Sequence, residues 1–173
     1  MHKYTYTNSQ LNTWSECKKK YYFKYVKKIN IPEKPAAYEL GRNVHSLINY
    51  YLRGHDIAII EKNLDTETKT HWFALKNYSL LKNKVLKSEW EFNSKIGETK
   101  YWLNGRVDAI FGDEKNNKYI IADWKTGQNI PKNPESSLQS ASYLYSVFRA
   151  QKDLKLSINY EDLSFLYIKT PEC

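Results

Sequence analysis

The stretch SEWEFNSKIGETKYWLNGRVDAIFGDEKNNKYIIADWKTG, Ser88 to Gly127, decides how this chain folds. Three runs in it have β character, around Glu89 to Lys95, Lys100 to Phe111 and Tyr119 to Lys125, separated by the turn-forming strings IGE and GDEKNN. Strands joined by such short turns make an antiparallel meander. Side chains alternate faces along a strand, so Asp123 and Lys125 share one face while Trp124 takes the other. With the second hairpin centred near Glu114 and Lys115, Phe111 lies opposite Lys118 and Asp108 opposite Ile121. Asp123 is then a diagonal neighbour of Asp108 on the same face, about 7–8 Å away. A slip of one residue would separate them.

Two carboxylates on one sheet face, one of them reached through the apolar run YIIA, repel unless compensated. Two arrangements satisfy them: a structural salt bridge with Lys125 at the strand end, or a shared divalent cation beside which Lys125 orients a water or a phosphate oxygen. The second suits hydrolysis of a phosphodiester.

Helical periodicity flanks the meander. TNSQLNTWSECKKKYYFKYVKKI places Leu11, Trp14, Tyr21, Tyr22 and Tyr25 at helical spacing behind an N-cap at Asn8 or Ser9, with a basic face. After the proline-punctuated loop NIPEKPAA, YELGRNVHSLINYYLRG forms a second helix through Leu40, Val44, Leu47, Ile48 and Tyr51, stopped by Gly54. A third helical pattern runs from about Thr66 to Leu86, with Trp72, Phe73, Leu75, Leu80 and Leu81 as its apolar content. Behind Pro134, PESSLQSASYLYSVFRAQKD returns to helix, and DLSFLYIKT is a last strand. Residues 1–173 therefore read as one mixed α/β domain without repeats.

The charge balance narrows the partners. Lys and Arg number 27 against 19 Asp and Glu, a formal charge of +8 and a pI near 9.2, which favours a polyanion: nucleic acid first, an anionic membrane surface second. Two cysteines, Cys17 and Cys173, exclude a disulfide framework or a four-cysteine metal site within the chain. No apolar run reaches the roughly 20 residues that span a bilayer, and MHKYTYTNSQ is no signal peptide, so a soluble cytoplasmic protein is expected.

Five pieces, GRNVH, EWEF, GRVD, DWKTG and QSASY, stand in an order and on elements that resemble the RecB-like, CRISPR-associated-exonuclease-like branch of the PD-(D/E)XK nuclease superfamily, from about Ser9 to Thr170. The resemblance implies a restriction-endonuclease-like fold, a mixed central sheet flanked by helices, with a Mg²⁺ or Mn²⁺ site at one edge. Carried over residue by residue, it makes His45, Asp108 and Asp123 metal ligands, joined by the backbone carbonyl of Trp124. Lys125 becomes the lysine that positions the attacking water. Gln139 and Tyr143 match a Q-x-x-x-Y motif beside the active site that contacts DNA, and Glu91 an acidic position that supports the site. Independently of the resemblance, Lys18, Lys19 and Lys20 lie in a run where basic and aromatic residues interleave, which reads either as a surface that contacts DNA or as a helix core face ringed by snorkelling lysines; with Arg42 beside the histidine motif they are the expected DNA contacts. Many relatives hold a [4Fe–4S] cluster on four cysteines; Cys17 resembles one of them, but two thiols do not make a cluster, and Cys17 is read as a buried packing residue.

The resemblance implies a metal-dependent deoxyribonuclease acting on DNA, foremost an exonuclease on single strands or duplex ends. A structure-specific or nicking endonuclease, or an inactive DNA-binding or assembly module, are the alternatives. No membrane partner is expected. A homo-oligomer, or a helicase or recombination partner in DNA repair or recombination, is compatible with it.

Overall fold

The computed structural model describes residues 4–29, 35–113, 116–127 and 130–170. Glu114, Lys115 and Cys173 lie outside the described residues. The meander is present as β2 (Val85–Lys95), β3 (Trp102–Asp113) and β4 (Lys118–Lys125), paired antiparallel in that order. Two strands join it in parallel: β5 (Leu163–Lys169) along β4, and β1 (Thr5–Thr7), which alternation did not reveal, against the start of β3. Three residues are too few to show a period.

The sheet forks on β3. A strand has two hydrogen-bonding edges, and β2 occupies one of them from Trp102 to Phe111. β1 and β4 therefore divide the other, β1 pairing with residues 102–104 and β4 with residues 109–113. Residues 105–108 face the gap. The β3/β4 register, Phe111 opposite Ile120 and Asp113 opposite Lys118, is two residues off the expected one. An even shift leaves every side chain on its face, and it sets Asp108 level with Asp123 instead of diagonal to it. The ladder stops one pair short of them, at Ala109 and Ala122.

Helices cover both faces. On one, Val44, Leu47 and Ile48 from α3 (Pro35–Leu52) and Trp72 and Leu75 from α5 (Thr66–Lys76) bury Ala109, Phe111, Ala122 and Trp124. On the other, Tyr143 and Val147 from α6 (Leu138–Arg149) bury Ile110, Ile121 and Leu163. Trp124, 2% exposed, thus faces the layer opposite to Asp123, as alternation requires. Each such large apolar side chain contributes about 1.5–3 kcal/mol on burial.

Local chemistry sets the helix ends and revises several of the expected ones. Thr7, not Asn8 or Ser9, caps α1 (Asn8–Glu16): its hydroxyl accepts from Gln10 N at 3.2 Å while Gln10 Oε1 accepts from Thr7 N at 2.8 Å, a capping box. The first helix does not run on to Tyr25. Cys17 adopts an extended conformation, φ −159° and ψ 106°, and separates α1 from the short α2 (Lys18–Tyr21), which continues as a π-helical turn over Tyr22–Val26. Cys17 is exposed, not buried; its Sγ accepts from Lys20 N at 3.4 Å. Gly54, φ 75°, follows the end of α3, as expected. The third helix stops at Lys76 rather than near Leu86; a 3₁₀ turn over Ser79–Lys82 and the start of β2 take its last part. A short α4 (Ala58–Lys62) precedes it. None of the described helices is long and apolar enough to cross a membrane.

Candidate active site

The site lies where the β3/β4 ladder gives out. Beyond Ala122 the backbone N–H of Trp124 has no strand partner on β3, and the Asp108 carboxylate substitutes for one, accepting from it at 2.9 Å. That bond fixes Asp108 Oδ2 against the end of β4. α3 passes the same end closely because residue 41 is glycine: a Cβ there would stand 3.1 Å from Thr126 Oγ1. One turn further along α3, His45 reaches the carbonyl of Trp124 with Nε2 at 3.0 Å and Asp108 Oδ2 with Nδ1 at 3.5 Å.

A carbonyl only accepts, so His45 Nε2 carries the hydrogen and Nδ1 is left facing a carboxylate. A bare lone pair there would be repelled. A proton or a cation relieves it. Burial works against protonation of His45, but the hydrogen bond and charge of Asp108 outweigh it and hold the imidazole above its ordinary pKa.

Glu89 completes this side. One ligand atom each from His45, Glu89 and Asp108 lie within 4.8 Å of one another. Glu89 gets there by an unusual backbone: its φ is +50°, a left-handed conformation for a non-glycine residue inside a strand, which costs on the order of 1–3 kcal/mol. Across the Glu89/Asp108 step the strands change sides. Trp90 and Val107 pack toward α6, whereas the next pair, Ser88 and Ala109, brings Ala109 into the α3/α5 layer. In a regular strand Glu89 and Glu91 would share a face. The kink parts them, leaving Glu91 exposed opposite Arg106 and Glu89 turned into the cluster, where Arg106 Nε meets its Oε2 at 2.6 Å. Burial first, then the nearby Asp108, raises the Glu89 pKa against the pull of Arg106.

The second half of the site hangs on α6. Ser137 caps this helix, accepting from Ser140 N at 3.0 Å, and so holds Gln139 in its first turn. The Gln139 amide is fully used. It donates to Asp123 Oδ1 at 2.7 Å and to Tyr143 at 3.2 Å, and its Oε1 accepts from Lys125 Nζ and from the Tyr167 hydroxyl, both at 3.3 Å. Lys125 also pairs with Asp123 Oδ2 at 2.7 Å. Asp123 is 3% exposed, and burial together with the charge of Asp108 pushes its pKa up to about 6 despite Lys125.

The structure therefore gathers His45, Asp108, Asp123, Lys125, Gln139, Tyr143 and the Trp124 carbonyl, and adds Glu89 and Tyr167. Several expected placements change. Asp123 stands outside the three residues whose ligand atoms converge, its two oxygens meeting Gln139 and Lys125 instead. Glu91 points elsewhere. Tyr143, 7% exposed, packs on Phe92 and Phe165, and Gln139, with both amide donors and its oxygen engaged by neighbouring side chains, braces Asp123 and Lys125. The Trp124 carbonyl faces His45. Glu89 was hidden because its placement depends on a backbone kink, and Tyr167 because β5 pairs with β4 across some 40 intervening residues.

The donors fit a divalent cation. The half-buried Glu89 and the buried Asp108 converge with an imidazole nitrogen that faces Asp108, and their negative charge is one that a cation would settle. Mixed carboxylate and imidazole donors suit a divalent metal ion. A cleft of about 670 Å³ opens over this half, lined among others by His45, Glu89, Arg42 and Arg106, the last paired with Glu89. An acidic, lysine-bearing strand end beside an arginine-bearing cleft is chemically suited to hydrolysis of a phosphodiester.

No curated protein matches the sequence. The family model described as the PD-(D/E)XK nuclease superfamily matches residues 5–170, from β1 through to the end of β5, and with the forked mixed sheet and the Asp108, Asp123 and Lys125 set at its mouth it establishes that the chain belongs to that superfamily, whose members are nucleases.

Proposed function

We propose that the protein is a Mg²⁺- or Mn²⁺-dependent deoxyribonuclease that works as an exonuclease on single-stranded DNA or duplex ends. The observation that carries this reading is the meeting of Asp108, held by Trp124 N, with Asp123 and the Lys125 paired to it, at the end of β4. The net charge of +8 and the two arginines of the cleft support a polyanionic substrate, and the likeness of the five motifs to the RecB-like branch supports an end-directed enzyme.

His45, Glu89 and Asp108 would hold the cation, with Asp123 beside them. Bound there, it supplies Lewis acidity and a water more acidic than bulk. Lys125, fixed by Asp123 and Gln139, places positive charge where the phosphate gains negative charge as water oxygen bonds to phosphorus. The bond to the 3′ oxygen breaks; the attacking water gives up a proton to solvent and the leaving oxygen takes one up, so that water is consumed and no net charge is created on the leaving group. Gln139 keeps Asp123 and Lys125 in register, and Tyr143 keeps Gln139.

Digestion of 5′- and 3′-labelled linear single- and double-stranded DNA beside closed circular single strands, with Mg²⁺, Mn²⁺ or EDTA and with Asp123→Ala as control, tests the reading. Metal-dependent shortening of linear DNA with intact circles is expected. Cut circles would make it an endonuclease, and no cleavage with any metal would leave a DNA-binding or assembly module.

A further inference from the structure

Away from the cleft, one surface has the wrong chemistry for a bystander. The segment KKKYYFKYVKKI, Lys18 to Ile29, contains six lysines and no acidic residue. It leaves α1 at the Cys17 break and forms α2 and the π-helical turn, closed by a bond from Lys27 N to Tyr22 O at 2.9 Å and by the left-handed Lys28, φ 54°. Its inner row packs on α1: Trp14 meets Tyr21 edge-on at 5.2 Å between centroids, and Tyr21 meets Tyr25 at 5.2 Å. Its outer row is open. Tyr22, Phe23, Val26 and Ile29 are 43%, 37%, 57% and 51% exposed, and Trp14 is 47% exposed.

The cations lie among the rings instead of on a separate face. Lys18 Nζ stands 5.5 Å from the Trp14 ring and Lys27 Nζ 5.7 Å from the Tyr22 ring, which itself lies 5.7 Å from Phe23. A membrane-lying helix needs the opposite, one continuous apolar face with charges beyond it. Interleaved lysines and exposed rings match a chain that alternates phosphates with stackable planar faces, an unpaired nucleic-acid strand. Base faces are covered inside a duplex, so the exposed rings favour an unpaired strand.

The arm is joined to the catalytic site. α1 starts at β1, one prong of the fork, where Ser142 of α6 donates to Asn8 Oδ1 at 2.8 Å, and Ser142 stands one turn from Gln139. The nine residues of α1 then carry the arm about 14 Å away. We infer that Trp14 and the Lys18 to Ile29 arm are a subsite for the unpaired strand of the substrate, with Tyr22, Phe23 and Trp14 stacking on bases and Lys18, Lys19 and Lys27 neutralising phosphates. This rests on the nuclease reading of the cleft, but it concerns binding and not chemistry.

The test is fluorescence anisotropy in EDTA, where hydrolysis does not run, with a labelled oligothymidine and a blunt duplex of equal length. Tyr22→Ala/Phe23→Ala should weaken the single strand by about tenfold or more and the duplex little. Lys18→Ala/Lys19→Ala/Lys27→Ala should weaken both and flatten the single-strand salt plot by about 0.7 for each phosphate no longer neutralised. All five residues are exposed, and circular dichroism with a thermal melt verifies the fold. Unchanged single-strand affinity and salt slope in both variants would overturn the inference. So would equal losses on single strand and duplex for the ring variant, or binding to anionic phospholipid vesicles with none to the oligonucleotide. Cleavage of linear DNA by the unaltered protein is scored separately: arm-dependent binding without cleavage breaks the site reading alone, and cleavage with arm-independent binding breaks the arm alone.

Discussion

Two regions of this molecule are built from lysine and aromatic residues and use them in opposite ways. At the end of β4, Lys125 is mostly buried, bonded to Asp123 and Gln139, and set 5.4 Å from the Tyr167 ring. In the arm, Lys18 and Lys27 lie over exposed rings at similar distances. Burial strengthens each charge interaction and fixes its geometry, whereas exposure leaves charges screened and interchangeable. The first suits a transition state and the second a polymer of repeated charges. Variants of the two regions should therefore separate rate from affinity.

The sharpest way to break that separation is at the site. Asp108→Ala removes the acceptor that holds Trp124 N and one of the three converging donors; Lys125→Ala removes the charge paired with Asp123. Each should lower the single-turnover cleavage rate by at least about 10²–10³-fold, while DNA affinity measured in EDTA stays near that of the parent protein. Affinity falling in parallel with rate would mean that the strand end binds more than it reacts.

A smaller loss is expected one step back from the chemistry. Gln139→Ala leaves every charged group in place but strips Asp123 and Lys125 of their common partner. Activity should drop by about 10–100-fold, the usual cost of losing an outer partner, with single-strand affinity unchanged. Reduced affinity at full rate would show that the amide touches DNA after all.

The residues involved show what a one-dimensional pattern carries. Alternation in YIIADWK places Asp123 and Lys125 opposite Trp124, and the two-residue error in hairpin register left that intact because the error was even. Helical spacing likewise held for α3 and α6, whose buried residues recur every three or four positions. Failures came where one residue departs from its element. Glu89 and Glu91 are indistinguishable by period, and only the left-handed φ at Glu89 decides between them. Cys17 breaks the first helix without glycine or proline, its thiol standing in as the next cap. β1 is stabilised by pairing with a strand nearly a hundred residues away, which no local pattern encodes.

The raised pKa of Asp123 makes the site costly when no cation is bound. Its folded value of about 6 exceeds the ordinary 3.8, so between those values the folded state binds more protons than the unfolded one. This group's contribution to stability therefore falls as pH rises from about 4 to about 6, by up to roughly 3 kcal/mol. In EDTA, Asp123→Asn removes that penalty. Its melting temperature relative to the parent should climb through the same pH range, less whatever Lys125 loses with its partner. Adding Mn²⁺ should stabilise the parent more than the variant at neutral pH. A difference in melting temperature that is flat with pH would place the buried charge strain elsewhere.

The smallest expected effect falls on the joint between the regions. Thr7 and Gln10 form a reciprocal cap at the start of α1, and the same helix start is bonded to α6 through Asn8 and Ser142. Thr7→Ala deletes one acceptor and leaves the Gln10 bond to the Thr7 backbone, so the loss should be about 1 kcal/mol, or about 2–4 °C in melting temperature for a chain of this size. Cleavage of a very short oligonucleotide, which cannot reach the arm, should not change. Cleavage of a long single strand should weaken slightly, because a frayed α1 no longer holds the arm at a fixed distance from the fork. Equal effects on short and long substrates would mean that the cap supports β1, and through it the site itself, so that rate and affinity are not carried by separate parts of the fold.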